Sequence, residues 1–380
     1  MDLPICPAGA AGRRRGRGPQ DDPEQASGRR RPRFLDLGHR VSDFDRTALR
    51  DALAPALGPD RGTFDLSRIT GGQSNPTYFL DWADRRLVLR KQPSGPILKG
   101  AHAIDREYRV LQALAATDVP VPAPVLYHDD PATIGTPFYL MERVDGRIFT
   151  DTTLPDLPRD RRAAIWMAVA DTLALMHSVR PADVGLEDFG RPGNYFERQV
   201  SRWDRQYRAS PSDPIADIET VHDWLTRNMP PDDDLTALCH GDFRLGNLIF
   251  DPSQPRVTAI LDWELSTVGH PLADLGFCAM PWHSSPEEYG GLLGHDLDAL
   301  GLPTEDAFVA HYMARAPFDA PLLPFHKVFA LYRFAVIFVG IADRARAGTA
   351  AGNEARRLAP LAPAFARRAL EVANGRPHAL

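Results

Sequence analysis

The segment LCHGDFRLGNLIFD (238–251) places a His, an Asp, an Arg and an Asn within eight residues, between apolar flanks. Burying polar groups at that density costs free energy unless each one is paired or used. A second apolar run, VTAIL (257–261), ends on Asp262. Any fold that accepts these two segments must gather a loop His, Asp and Asn near the end of a strand that carries another Asp. This constrains the chain more than its composition does. At 43% hydrophobic and 25% charged residues, that composition is ordinary for a globular protein.

The 380 residues suffice for two domains or one large two-lobed fold. Order is expected from about residue 34. A helix is expected over 46–57, closed by Gly58-Pro59. Three strand-like runs follow, at 63–70, 77–83 and 85–92. They are joined by Gly71-Gly72 and by Asp84-Arg85, a spacing that predicts an antiparallel meander. A helix over 103–115 places Ile104, Tyr108, Leu111 and Leu114 on one face. The Pro-rich stretch DVPVPAPVLYHDD is expected to be extended, and PFYLMERV (137–144) to be a strand closed by Asp145-Gly146. Beyond Arg159 helices dominate, at 159–178, about 193–207, about 216–229, 304–315, 322–345 and 353–373. Short strands at 247–251 and 257–264 interrupt them. The expectation is an α+β chain with a nucleotide-binding lobe over 34–145, built on a small antiparallel sheet, and a larger, mostly helical lobe over 146–380.

Asp242, Asn247 and Asp262 are hard oxygen donors, the type that holds Mg²⁺ together with phosphate oxygens. A carboxylate beside them can take or orient a hydroxyl proton. Those are the parts phosphoryl transfer needs, because its catalysis is mostly positioning and charge neutralisation. A loop His paired with a surface Asp would be the plainer reading. A transition-metal site would need three or four clustered ligands, and no second His occurs in this stretch.

HGDFRLGN followed by ILDWE resembles the catalytic and metal-binding segments of the aminoglycoside phosphotransferase and choline kinase superfamily, which has a protein-kinase-like fold. The similarity extends over most of residues 60–345. GGQSNPTYFL, LVLRKQP, REYRVLQAL and WELSTVGHPLADLG resemble one branch in particular. That branch is the kinase-like domain fused to acyl-CoA dehydrogenases in animals, with its stand-alone bacterial relatives. The resemblance implies that Asp242 is the catalytic base or hydroxyl-orienting group, that Asn247 and Asp262 bind Mg²⁺, and that His240 braces the loop. It allows Glu264 a supporting role through its charge.

The implied nucleotide is ATP. Gly71 and Gly72 permit close backbone approach and Ser74 offers a hydroxyl to a phosphate, although a Gly-Gly hairpin turn accounts for the same residues. No Gly-Lys-Ser/Thr follows, so this is not a Walker A loop. In LVLRKQP one basic residue is expected to reach the phosphates, as a strand lysine does in kinases. Strand alternation lets only one of Arg90 and Lys91 do so, and the resemblance aligns Arg90. Glu107 is its expected ion-pair partner, with a plain surface acid as the alternative. YLMERVDG resembles the hinge between lobes. Met141 would line the adenine pocket, and backbone groups of Glu142 and Val144 would recognise the base.

The acceptor is the least legible part. In NYFERQVSRWDRQY, Phe196, Val200, Trp203 and Tyr207 recur at helical spacing and read as core. Arg198, Arg202 and Arg205 could meet an anionic substrate, and Arg198 and Trp282 are the acceptor-site candidates. The branch points towards a small-molecule hydroxyl substrate such as a hydroxyacyl-CoA. An aminoglycoside or choline-type acceptor is the alternative, and a non-catalytic kinase-like scaffold is the alternative of another class. The acidic cluster PPDDD (230–234) reads as a solvated loop.

Residues 1–33 hold eight Arg against four acids, while the chain as a whole carries -6. This stretch is expected to be a solvated, disordered tail, and nucleic-acid binding through it is not expected. Three scattered cysteines, Cys6, Cys239 and Cys278, show no Cys-x-x-Cys and suggest a reducing, cytoplasmic setting. The longest apolar run, 334–342, has nine residues. A membrane span needs about 20, so no membrane partner is expected.

Overall fold

Asp45 opens the first helix, α1 (Arg46–Leu57), by accepting the N–H groups of Thr47 (2.8 Å) and Ala48 (3.3 Å). Gly58, at φ 77°, ends it with an N–H to the Ala54 carbonyl. The computed structural model describes residues 44–69, 75–94, 103–191, 193–346, 358 and 360–375. Gly71, Gly72, Ser74, Cys6 and the Arg-rich tail lie outside these residues. The chain divides into two compact units. The first runs to Ile104 and takes in Leu126–Met141. The second holds Asp105–Val125 and everything from Glu142. The division therefore falls at 141/142, not at 145/146, and 105–125 groups with the second unit.

In the first unit, β1 (Phe64–Arg68), β2 (Thr77–Trp82) and β3 (Arg85–Lys91) form the expected antiparallel meander. With β4 (Pro124–His128) and β5 (Phe138–Glu142) they make a sheet ordered β1-β2-β3-β5-β4. Trp82 pairs with Arg85, so the hairpin turn is Ala83-Asp84, one residue earlier than Asp84-Arg85. Tyr78, Leu80, Trp82, Leu87 and Leu89 are all buried and share one face. Trp82 Nε1–H donates to the Gly58 carbonyl (3.1 Å) and Phe44 meets the Tyr78 ring edge-on, which ties α1 to that face.

The second unit begins with α2 (Ile104–Leu114) and continues through α3 (Arg159–Ser178), α4 (Tyr195–Arg208) and α5 (Ala216–Arg227). Two small antiparallel pairs follow. β6 (Ala237–Cys239) pairs with β9 (Thr267–Gly269), and β7 (Leu248–Phe250) with β8 (Val257–Ile260). Then come α6 (Pro271–Cys278), α7 (Leu297–Leu300), α8 (Glu305–Met313), α9 (Pro324–Arg346) and α10 (Leu361–Ala373). The core of this unit gathers α4, α5, α6, α9 and α10, with Phe334 and Phe338 packed on Phe365. Phe196, Val200, Trp203 and Tyr207 are buried in it, as their spacing predicts. By length and composition α9 is apolar enough to cross a membrane, and 72% of its most apolar window is buried inside the fold. The uninterrupted apolar run understates it, because Arg333 breaks the run without breaking the helix.

Candidate active site

β6 delivers the chain into the segment His240–Asn247. His240 is fully buried and both its ring nitrogens are engaged. Nε2 lies 2.9 Å from the Leu261 carbonyl and Nδ1 accepts the Asp242 N–H (3.1 Å). This fixes the tautomer with the proton on Nε2. The Trp263 ring lies against the imidazole at 4.7 Å. His240 is thus the loop brace the resemblance implies.

Gly241 sits at φ +81°, where L side chains are strained, and a Cβ there would stand 2.7 Å from the Leu265 carbonyl oxygen. Its own carbonyl accepts from Arg333 Nη2 (2.5 Å). The loop is therefore pinned on both sides before Asp242 is reached.

Asp242 and Asn247 are brought together, both nearly buried. Asn247 Nδ2 donates to the Asp242 carbonyl (2.9 Å) and to its Oδ2 (2.8 Å). Arg244, which the sequence leaves without a role, places Nε 3.3 Å from each Asp242 carboxylate oxygen. Burial disfavours the Arg244 charge, but the Asp242 carboxylate offsets this and the guanidinium pKa is raised. Asp262 follows at the end of β8 in the left-handed region (φ 66°, ψ 63°). The Leu261 N–H donates to the Asn247 carbonyl (2.8 Å), so backbone hydrogen bonding holds Asp262 next to Asn247. Glu264 lies half-buried in the 3-10 turn Trp263–Leu265.

A divalent cation fits this donor set. Asn247 commits its amide nitrogen to Asp242, which leaves Oδ1 as the amide's acceptor, and the Asp262 carboxylate follows within one hydrogen bond of chain. Two hard oxygens of this kind are how a protein holds Mg²⁺ whose other ligands are water and phosphate.

Asp274 in α6 is the buried support of this segment that the sequence motifs left out. Its Oδ2 accepts the His240 N–H (2.6 Å) and its Oδ1 the Gly241 N–H (2.9 Å). His177 Nε2 stands 3.5 Å away, with His177 Nδ1 held by the Tyr312 hydroxyl (2.6 Å). Burial pushes the Asp274 carboxyl up, but His177, His240 and the Gly241 N–H outweigh it and hold its pKa below the ordinary value. The signal was present: one Asp inside the apolar run HPLADLGF must be paired once buried. His177, Cys239 and Asp274 offer donor atoms within 4.8 Å of one another. Burial raises the Cys239 thiol well above its ordinary pKa, which keeps it protonated and poorly suited to ligating a metal.

In the first unit Arg90 pairs across from Thr77 and shares its face with Val88, and Lys91 points the other way. The Lys91 ammonium is fully buried, 5.3 Å from the Phe44 ring centroid and 3.3 Å from Ser94 Oγ. Arg90 is half-buried. Met141 is buried at 9% exposure. In the second unit Glu107 is 1% exposed, so it is not a plain surface acid. The Glu142 N–H is committed to the Ala123 carbonyl (2.9 Å), so a contact from Glu142 to a base would use its carbonyl. Val144 is half-buried. Trp282 is a core residue. Its ring packs at a tilt against Trp166 and Phe308, and Nε1–H donates to the Pro303 carbonyl (3.0 Å). This removes it as an acceptor-site candidate. Arg198 stays on the outer face of α4.

The model of the phosphotransferase enzyme family matches residues 65–317. A mouse protein, acyl-CoA dehydrogenase family member 10, is 41% identical over 333 residues, covering 86% of this chain. The chain spans 31% of that relative's length. Among solved structures, a Ralstonia eutropha protein provisionally described as an aminoglycoside phosphotransferase is 39% identical. It superimposes with a TM-score of 0.79, covering 88% of this chain and 100% of that one. Choline kinase from Cryptosporidium parvum, at 12% identity and a TM-score of 0.60 over 87% of this chain and 96% of that one, shares the fold. The α+β kinase-like architecture and the dehydrogenase-linked branch expected from the motifs are therefore both met, and the chain belongs to the phosphotransferase enzyme family.

Proposed function

We propose that this protein transfers the terminal phosphoryl group of Mg-ATP to the hydroxyl of a small metabolite, with a hydroxyacyl-CoA as the favoured acceptor. The observation that carries the reading is the Asp242–Asn247 pair. A buried carboxylate is fixed by an amide and a guanidinium, next to a second carboxylate at a strand end. Asp242 accepts the hydroxyl hydrogen of the acceptor and orients its oxygen for attack. Asn247 and Asp262 would hold Mg²⁺, and the bound ion would supply positive charge to offset that of the phosphate oxygens. In this reading Arg90, with Gly71, Gly72 and Ser74, would engage the phosphates, and Met141, Glu142 and Val144 would receive the adenine. The acyl-CoA part rests on the mouse relative, whose name is that of an acyl-CoA dehydrogenase. The buried thiols Cys239 and Cys278 fit a reducing, cytoplasmic setting.

The test is an ATP-consumption screen with and without Mg²⁺ against 3- and 4-hydroxyacyl-CoAs, choline, ethanolamine, homoserine, sugars and aminoglycosides. Turnover is expected with a hydroxyacyl-CoA and only with Mg²⁺ present. No turnover with any acceptor, together with no nucleotide-dependent rise in Tm, would count against the phosphotransferase reading and favour the scaffold.

The two neighbouring basic residues should separate cleanly. Arg90→Ala removes a charge-assisted phosphate contact and is expected to raise KM for ATP about tenfold. Lys91→Met should lower Tm and leave that KM unchanged, because its ammonium is enclosed beside Phe44 and Ser94. The opposite pattern would transfer the phosphate role to Lys91.

A further inference from the structure

Two arginines three positions apart in α2, Arg106 and Arg109, both reach the segment 185–190 of the second unit. Arg109 does so at the surface. Its Nη2 donates to the Gly185 carbonyl (2.7 Å) and pairs with the exposed Asp188. Exposed pairs of this kind contribute little. Arg106 lies deeper. Its guanidinium covers the Phe189 ring, 3.8 Å from the centroid, and Nη2 donates to two carbonyls, those of Phe189 (3.0 Å) and Ser266 (3.4 Å). Burial acts against the Arg106 charge. Among the described residues no carboxylate lies within ion-pair distance of it, so the groups that touch the cation are a ring face and two carbonyls.

The Ser266 contact spans 160 positions and lands just beyond the turn that follows Asp262. Ser266 is buried, and its N–H and Oγ both return to the Trp263 carbonyl (3.0 and 2.5 Å), which closes that turn. The turn also abuts the segment His240–Asn247: the Trp263 ring lies against His240, and Leu265 lies against Gly241. The segment 185–190 is fitted just as closely to the strand that comes next. A Cβ on Gly190 would stand 2.4 Å from the Val268 carbonyl oxygen, and Val268 pairs with Leu238 of β6. One guanidinium therefore joins α2 both to the turn behind Asp262 and to the segment packed on β9. Asp262 itself sits in the left-handed region, and for a residue with a side chain that conformation persists only where neighbouring structure holds it. Arg106 supplies one such hold.

We infer that Arg106 is a positioning residue for Asp262: it fastens the turn behind that carboxylate to α2, and so keeps Asp262 where Mg²⁺ binding needs it. The inference rests on the phosphotransferase reading above and deepens it, because neither the sequence motifs nor the family likeness gives Arg106 a part. Arg109, on the same helix and gripping the same segment, has no contact with the turn and provides the control.

The test compares the full-length wild type with Arg106→Met, Arg106→Lys and Arg109→Ala through two readouts. The first is the Kd of AMP-PNP by calorimetry, in EDTA and in saturating Mg²⁺. Mg²⁺ is expected to tighten binding by the wild type. Arg106→Met should shrink that tightening about tenfold, the lower end of the loss that follows when a metal ligand loses its support. Arg106→Lys keeps the charge and can reach one carbonyl, so it should recover part of the loss, and Arg109→Ala should leave the Mg²⁺ effect unchanged. The second readout is amide hydrogen exchange without ligand. In Arg106→Met, exchange at residues 263–267 should quicken about tenfold while β6 and α6 keep their wild-type rates. Wild-type exchange at 263–267 overturns the inference. So does a Mg²⁺ effect that Arg106→Met leaves unmoved, or exchange that quickens evenly through the unit, as loss of a merely structural contact would produce. Should Arg106→Met fail to fold, Arg106→Gln carries both readouts with the same expectations. A wild type whose AMP-PNP affinity ignores Mg²⁺ would count against the phosphotransferase reading, and hydrogen exchange would still decide whether Arg106 holds the turn.

Discussion

Asp242→Ala should lower the rate of phosphotransfer by about 10²–10⁴-fold, the range that loss of a positioned general base produces. The buried carboxylate is held through Oδ2 by Asn247 Nδ2 at 2.8 Å and bridged by Arg244 Nε at 3.3 Å to each oxygen. A group fixed this way has little freedom to reorganise as the acceptor hydroxyl arrives, so its removal acts on kcat. KM for ATP should stay within about threefold, because in this reading Asp242 orients the acceptor and does not bind nucleotide. The nucleotide-dependent rise in Tm should survive. Asp242→Asn keeps the shape and one acceptor oxygen but cannot take a proton, and should lie close to the alanine variant. Should Asp242→Ala retain wild-type turnover with a confirmed acceptor, Asp242 is not the catalytic group. A loss of turnover matched by loss of the nucleotide shift would mean the variant had lost its fold, and Asp242→Asn would then decide the matter.

Much of this site was legible because its residues lie close together in the chain. Local spacing carries His240, Asp242 and Asn247 on one loop, and the apolar run 257–261 carries Asp262 to the end of a strand. The helix over 159–178 and the meander were legible for a similar reason, because periodicity and turn residues are local signals. The sequence showed α6 less well. All eight of its residues are buried, so no polar face gives it a helical period. Strands β6 and β9, of three residues each, are too short to show alternation. Asp274 escaped for a different reason. Its partners lie 33 and 34 positions away, at Gly241 and His240, and spacing cannot carry a contact of that separation. Trp282 misled because an aromatic residue following the Asp262 segment looks the same in sequence whether it lines a cleft or fills a core. The Pro303 carbonyl that satisfies its indole N–H is 21 positions away.

Asp274→Ala is expected to cost about 3–5 kcal/mol of folding stability, the range for removing one partner from a buried charged cluster. The loss is concentrated because one carboxylate serves two consecutive backbone N–H groups, His240 and Gly241, which have no water to turn to when it is gone. It also leaves His177 without its buried counter-group. Asp274→Asn should fall between: its carbonyl oxygen can accept one of the two N–H groups, while its amide N–H₂ opposes the other. The pH dependence carries a sign. The carboxyl pKa is held below its ordinary 3.8, so this group adds stability above that value and loses it as pH falls through the lower, folded-state value. The urea midpoints of the wild type and Asp274→Ala should therefore differ by a constant amount from neutral pH down to about pH 4 and converge below it. A gap that instead widened in acid would mean that the native carboxyl is pushed up, with burial outweighing its partners. A gap under about 1 kcal/mol at neutral pH would place Asp274 among ordinary surface substitutions and remove it as the anchor of the segment His240–Asn247.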